Sequence, residues 1–225
     1  MILGVPCISR PDLLLRLLDS LDAPVEVLVV DNSPDGSVSE AVGHRARCLW
    51  FPHNLGVAAS WNLVLKSYPS EPYWLIANGD AELGQGDLAL MRSEMDRGGA
   101  RWVGMNGDWR LMGLTRGCVD AVGLFDENFH PVYCEDADYE RRCDLAGVAR
   151  YFVRGGATHA GSAAISEERY AEANARTYPS NVAHYARKWG TGVRNAGGHA
   201  SPFGLGGTVR DWTLNFSRLR ENAWP

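Results

Sequence analysis

Residues 2–31 read ILGVPCISRPDLLLRLLDSLDAPVEVLVVD. The apolar run Ile2–Ile8 has the length and composition of a buried strand. Ser9-Arg10-Pro11-Asp12 then reads as a helix start, with Ser9 as N-cap and an acid three residues on. Leu13, Leu14, Leu17, Leu18 and Leu21 recur at helical spacing and form one apolar face. Val25–Val30 is a second strand, and Asp31 ends it. Strand, helix and strand in so short a stretch predict a βαβ unit and hence a parallel sheet.

The pattern continues outward. Asn32–Ser37 is turn-rich, Cys48–Phe51 is a third strand, Val57–Leu65 is helical, and Tyr73–Ala77 is a fourth strand running into Asn78-Gly79-Asp80. Repeated units of this kind predict an α/β domain with a mostly parallel central sheet, in which ligands bind beyond the carboxyl ends of the strands. Asp31 and Asp80 both fall there. Further on, Asp87–Arg97 reads as helix and Trp102–Met105 as strand. Arg110–Arg116 and Val119–Val122 read as short strands around Gly117, and Gly123–Cys134 as an aromatic, turn-rich connection. Glu135–Ala146 is a helix that opens with acids, Ala149–Val153 a last strand, and Ser166–Trp189 a helical stretch interrupted near Pro179. Gly190–Gly207 is glycine-rich loop, and Val209–Leu219 a short amphipathic element.

Composition narrows the class. A chain of 225 residues with 45% hydrophobic and 22% charged residues fits one soluble globular domain, and excludes a disordered chain, a collagen or a coiled-coil rod. A net charge of −5 excludes a generic basic nucleic-acid binder. The five cysteines contain no CxxC pair, which predicts free thiols in a reducing compartment. No apolar run is long enough for a membrane span, and the N-terminus lacks the basic region of a signal peptide. A cytoplasmic location is expected.

Five groups of residues carry chemistry. Asp31 either accepts hydrogen bonds from a base or ribose or closes its strand as an Asx-turn. Asn78-Gly79-Asp80 is either an ordinary turn or a place to hold Mn²⁺ or Mg²⁺, which take oxygen ligands and leave positions open for phosphate. Glu135, Asp136, Asp138 and Glu140 crowd the start of one helix. Such crowding raises carboxyl pKa values and suits a general base, unless Arg141 and Arg142 simply pair with them. His159, in a glycine loop, is a metal ligand or a structural histidine. Arg187-Lys188-Trp189-Gly190 either neutralises a phosphate or ends a helix with favourable charge.

Taken in order, these segments resemble the family 2 glycosyltransferases of GT-A fold, and in particular short soluble bacterial or phage rhamnosyltransferase-like members. The likeness runs from Ile2 to Trp189. It rests on Ser9-Arg10-Pro11-Asp12, Val29-Val30-Asp31-Asn32-Ser33 and Asn54-Leu55-Gly56 with the residues to Asn62. It continues through Asn78-Gly79-Asp80, Val122–Phe129, Glu135-Asp136-Ala137-Asp138, His159 and Arg187-Lys188-Trp189-Gly190. The resemblance implies a catalytic domain over residues 1–189, with a nucleotide-binding half (1–82) and an acceptor-binding half (83–189), followed by a C-terminal lid and tail (190–225). It implies an inverting transfer of a sugar from a nucleotide-diphosphate sugar to a glycan or protein hydroxyl. Pro6, Ile8, Asp31, Asn54, Gly56, Asn78, Lys188 and Trp189 would bind the donor, Asp80 and His159 the divalent metal, and Asp136 or Glu135 would be the base. Asn78 stands where the family carries the first acid of its Asp-x-Asp motif. That substitution keeps an inactive sugar-nucleotide-binding module as an alternative. A sugar nucleotidyltransferase would need a glycine-rich basic loop where Ser9–Asp12 stands.

Overall fold

The computed structural model describes residues 1–161, 163–195, 197–204 and 206. In chain order the elements are β1 (Ile2–Cys7), α1 (Pro11–Asp19), β2 (Glu26–Asp31), α2 (Ser37–Val42), β3 (Arg47–Trp50), α3 (Val57–Ser67), β4 (Tyr73–Ala77), β5 (Ala81–Glu82) and α4 (Asp87–Met95). They continue with β6 (Arg101–Met105), β7 (Leu111–Thr115), α5 (Arg116–Val122), α6 (Glu135–Leu145), β8 (Ala149–Val153), β9 (Thr158–His159) and α7 (Glu168–Trp189).

Seven strands form one sheet in the order β3-β2-β1-β4-β7-β6-β8, and β5 pairs with β9 in a small second sheet. Only β7 runs against its neighbours in the large sheet; the other ladders are parallel, as the βαβ pattern predicts. Strand side chains alternate between two cores. Leu3, Val27, Val29, Leu75 and Val103 pack against α1, α2 and α4, whereas Ile2, Leu28, Val30, Trp74 and Ile76 pack against α3, α5 and α6. The result is a sheet covered by helices on both faces. Among the described residues no helix is long and apolar enough to cross a membrane, and all five cysteines are free.

The structure corrects three sequence expectations. Helix α1 starts at Pro11 behind Arg10, which sits at the N-cap in a left-handed conformation (φ 57°) with no side-chain cap, so Ser9 is not the cap. Residues 116–122 form helix rather than strand. Thr115 Oγ1 accepts from Cys118 N at 3.2 Å and caps the turn, a local signal that outweighs the β-branched Val119 and Val122. Helix α7 runs through Pro179 without a break. A proline inside a helix costs about 3 kcal/mol, but Tyr170, Ala173, Thr177, Asn181, His184, Tyr185, Lys188 and Trp189 are all buried along one face. The described part of the 190–206 segment is loop, as expected, and folds back on the end of α7. His199 N donates to Trp189 O at 2.7 Å, and Arg141 Nη2 donates to the carbonyls of Gly197 and His199. The expected amphipathic element at Val209–Leu219 lies outside the described residues.

A third cluster, Phe129, Cys134, Tyr185 and Trp189, joins α7 to the 123–134 connection. Charge runs through it. Lys188 Nζ lies 2.7 Å from both Asp126 Oδ2 and Asp138 Oδ1. Arg142 Nε donates to Asp138 Oδ2 at 2.9 Å, and Trp189 Nε1 donates to Asp138 Oδ1 at 2.8 Å. The four charged side chains are at most 1% exposed. Arg142 also donates to the carbonyls of Val122 and Leu124. Burial opposes ionisation of Asp126, but Lys188 and His184 outweigh it and hold the carboxyl well below the usual range. This group therefore stabilises the fold above about pH 4, and the contribution is lost as the pH falls further.

Replacing Lys188 with methionine keeps the side-chain length but removes the ammonium shared by two buried carboxylates, leaving Asp126 with His184 and Asp138 with Arg142 and Trp189. Lys188→Met is expected to lower the unfolding free energy by about 3–5 kcal/mol in urea titrations at pH 7. A loss under about 1 kcal/mol, the scale of an exposed pair, would contradict a dry ion network.

Candidate active site

The ends of β1 and β4 and the loops after β2 and β3 open onto one cleft of about 230 Å³. It lies beyond the carboxyl ends of parallel strands, where such sheets bind ligands. Pro6, Cys7, Ile8, Ser9 and Arg10 line it from β1, Asn32 from β2, Asn54, Gly56, Val57 and Trp61 from the start of α3, and Asn78-Gly79-Asp80 from β4. The far side is Trp109, Pro131, Val132, Tyr133, Glu135 and Asp136, with Ala163 and Ala164 over the mouth.

Close backbone approach shapes this cleft. A Cβ on Gly79 would lie 3.3 Å from Pro6 O, and one on Gly56 would lie 2.8 Å from Pro131 O. Gly56 also has a φ of 81°, so glycine suits it on both counts. Val57 N donates to Pro131 O at 2.7 Å, which ties the start of α3 to the loop before α6. Of the residues expected at the donor, Pro6, Ile8, Asn54, Gly56 and Asn78 all line the cleft. Burial pushes the Cys7 thiol up to about 12, so it stays protonated there.

Asp31 does not line the cleft. Its Oδ1 accepts from Ser33 N and Oγ at 2.8 and 2.6 Å, and its Oδ2 from Ser39 N and Oγ at 2.8 and 2.7 Å. It is 0% exposed. The Asx-turn reading therefore describes it, and Asn32 is the residue this turn delivers to the cleft. Lys188 and Trp189 likewise lie outside the cleft, inside the ion network, where two carboxylates rather than a phosphate take the ammonium.

Asp80 lies at the cleft with Oδ2 accepting from Ala163 N at 3.1 Å. Among the described residues its Oδ1 accepts no hydrogen bond. His159 is its neighbour through the β5–β9 ladder, where Ala81 faces His159 and Ala160 N donates to Asp80 O. Both imidazole nitrogens are engaged: Gly161 N donates to Nδ1 at 2.8 Å, and Nε2 lies 3.7 Å from Asp108 Oδ2. Burial raises Asp108, but hydrogen bonds from Arg110 outweigh it and hold the carboxyl below its ordinary range. Among the described residues no three His, Cys, Asp or Glu side chains gather to hold a metal. The donor set is one carboxylate oxygen beside the Asn78 amide. It fits an ion that arrives with phosphate and water as its other ligands, the habit of Mg²⁺, rather than a preformed protein cage.

Glu135 and Asp136 begin α6 behind two strained residues, Tyr133 (φ 78°) and Cys134 (φ 77°). Left-handed backbone at a non-glycine residue costs about 1–3 kcal/mol and clusters at functional sites. Burial raises the Glu135 pKa well above the usual carboxyl value, with Asp136 and Asp138 adding to it. Its Oε2 is buried with no hydrogen-bond partner among the described residues. Burial also raises Asp136, opposed by the Ala137 N–H, which donates to Oδ1 at 2.7 Å. Three residues in the cleft wall escaped the sequence reading. Arg10 is the one cation among the described residues lining the cleft, and Trp61 and Trp109 meet only through folding. No spacing in the sequence links those two tryptophans.

The helix-covered, mostly parallel sheet is the fold of the GT-A glycosyltransferases to which the chain is structurally similar. Residues 3–117, just over half of the chain, match the model described as glycosyl transferase family 2, and the chain belongs to that family. The fold is similar to that of Staphylococcus aureus TarS 1-349, with a TM-score of 0.53 and 17% identity over 68% of this chain and 57% of that one. It is also similar to TarS 1-349 in complex with UDP (TM-score 0.52, 15% identity, 68% and 60% covered). GalNAc-T7 with UDP, GalNAc and Mn²⁺ aligns with a TM-score of 0.59 and 11% identity over 70% of this chain and 43% of that one. The chain thus spans less than two thirds of each of these structures. No curated protein matches its sequence significantly.

An ordinary glutamate ionises near pH 4 when unfolded, whereas folded Glu135 keeps its proton to higher pH. Between those two values stability falls as pH rises. Glu135→Gln cannot ionise, so it is expected to melt above the wild type at pH 7, with the difference closing below pH 4. A lower melting temperature at both pH values would contradict this.

Proposed function

We propose that the protein is a transferase that moves a sugar from a nucleotide-diphosphate sugar to an acceptor hydroxyl, with inversion at the anomeric carbon. The observation that carries the reading is one cleft holding Asp80 at the end of β4 and Asp136 at the start of α6. In support, structural neighbours of this fold are seen in complex with UDP, and GalNAc-T7 also with Mn²⁺.

The nucleoside half of the donor lies against Pro6, Ile8, Asn32, Asn54 and Gly56. Asp31 acts on it at one remove, by holding the turn that presents Asn32. The Asn78 amide hydrogen-bonds a ribose or sugar hydroxyl. Asp136 accepts the proton of the acceptor hydroxyl as its oxygen bonds to C1. The bond from C1 to the diphosphate oxygen breaks, and its electron pair leaves on the diphosphate. A carboxylate with raised proton affinity suits that task. Arg10 stands at the β1 side of the cleft as a counter-charge for the departing anion. A divalent cation held by Asp80 and the diphosphate would supply Lewis-acid stabilisation of that anion. His159 steadies the strand beside Asp80, and it would serve as a ligand only after giving up one of its two contacts. The transfer takes place in the cytoplasm.

Asp136→Asn preserves shape but cannot take the proton. It is expected to lower kcat by about 10²–10⁴ while nucleoside diphosphate affinity, measured by calorimetry, stays near the wild-type value. Turnover near wild type would remove Asp136 as the base. Asp80→Ala is expected to abolish the Mn²⁺-dependent part of donor binding with little change in melting temperature. Donor binding and turnover that EDTA leaves untouched in the wild type would overturn the metal role.

A further inference from the structure

We infer that the Trp109 wall of the cleft is the acceptor subsite and that it takes the apolar face of an uncharged pyranose, so that the acceptor is a glycan. The inference rests on the transferase reading above and names its second substrate. Trp109 stacks on Trp61 with ring centroids 5.5 Å apart and an interplanar angle of 17°. Trp61 is 2% exposed and Trp109 half-buried, so Trp109 forms the outer layer of the stack. Trp102 at 5.2 Å, Phe125 at 6.0 Å and Tyr139 at 6.4 Å also pack against its ring. Its indole N–H is already spent on Glu140 Oε1 at 2.7 Å, one helical turn beyond Asp136. What Trp109 offers a ligand is therefore flat carbon surface close to the proposed base.

The rest of that wall agrees. Val57, Val132 and Tyr133 extend the apolar surface, and the cation lining the cleft, Arg10, belongs to the β1 side. An acceptor with phosphate or carboxylate groups would find no counter-charge there. The same cleft is lined by two residues with buried polar atoms that lack partners among the described residues, Trp61 Nε1 and Glu135 Oε2. One donates, and the other is a carboxyl oxygen. A ring hydroxyl both accepts and donates, and a pyranose combines such hydroxyls with an apolar C–H face that stacks on an indole. A peptide acceptor would instead call for a row of backbone donors and acceptors, whereas Trp109, Val57 and Val132 offer ring and aliphatic carbon.

Saturation-transfer NMR on the full chain with UDP and Mn²⁺ tests this, using methyl pyranosides of glucose, N-acetylglucosamine and rhamnose alongside serine and threonine peptides. The expected result is transfer to the C–H protons of one sugar face and none to the peptides. Trp109→Leu should weaken glycoside binding by at least about tenfold, and Trp109→Phe should restore most of it. Melting temperatures identify any variant that fails to fold, and the pattern of contacted protons in the wild type stands without the variants. Peptide binding without glycoside binding would overturn the inference. So would glycoside binding with no preferred face, or a folded Trp109→Leu that binds like wild type. Calorimetry with a panel of nucleoside diphosphates separates the two readings. If none binds, the transferase donor site is wrong, whereas binding of one of them alongside glycoside failure removes the acceptor assignment alone.

Discussion

A lysine ammonium buried between two aspartates governs the shape of this molecule. Lys188 is reached by Asp126 from the turn-rich connection and by Asp138 from α6, and it sits on the last turn of α7. Taking three charges out of water is costly, and the cost is repaid only if every partner arrives in place. The cluster therefore admits one arrangement of these segments. In that arrangement the first residues of α6, Glu135 and Asp136, face the cleft, while Asp138, three residues after Glu135, faces inward to Lys188, Arg142 and Trp189.

The same helix start thus divides its carboxylates by environment. Asp138 is met by two cations and an indole N–H. Glu135 is buried and Asp136 half-buried, neither beside a cation, and both are raised in pKa. The backbone strain at Tyr133 and Cys134 lies on the link between Asp126 and Glu135, where a rigid ion network on one side can hold it.

Much of the fold was legible because it depends on local periodicity. The β1-α1-β2 unit, the β4 strand ending at Asp80 and the acidic start of α6 stand close to where apolar spacing puts them. The errors arose where one residue type serves two environments. Lys188 and Trp189 at a helix end look the same whether they meet a phosphate or a buried carboxylate, and only the partners Asp126 and Asp138 decide. Asp31 at a strand end looks like a ligand until Ser33 and Ser39 are seen to fill its acceptor sites. Residues 116–122 turned helical because Thr115 caps them, against the β preference of Val119 and Val122. The Trp61–Trp109 stack joins residues far apart in the chain, so no local pattern could reveal it.

The central claim is that the ion network holds Asp136 across one cleft from Asp80, with the donor's anomeric carbon between them. A crystal structure with a hydrolysis-resistant nucleotide-sugar analogue and Mn²⁺ tests it most directly. The account predicts the diphosphate beside Asp80 and Arg10, the sugar directed toward Asp136, and Lys188 still bridging Asp126 and Asp138. A diphosphate bound by Lys188, or a sugar turned away from α6, would contradict it.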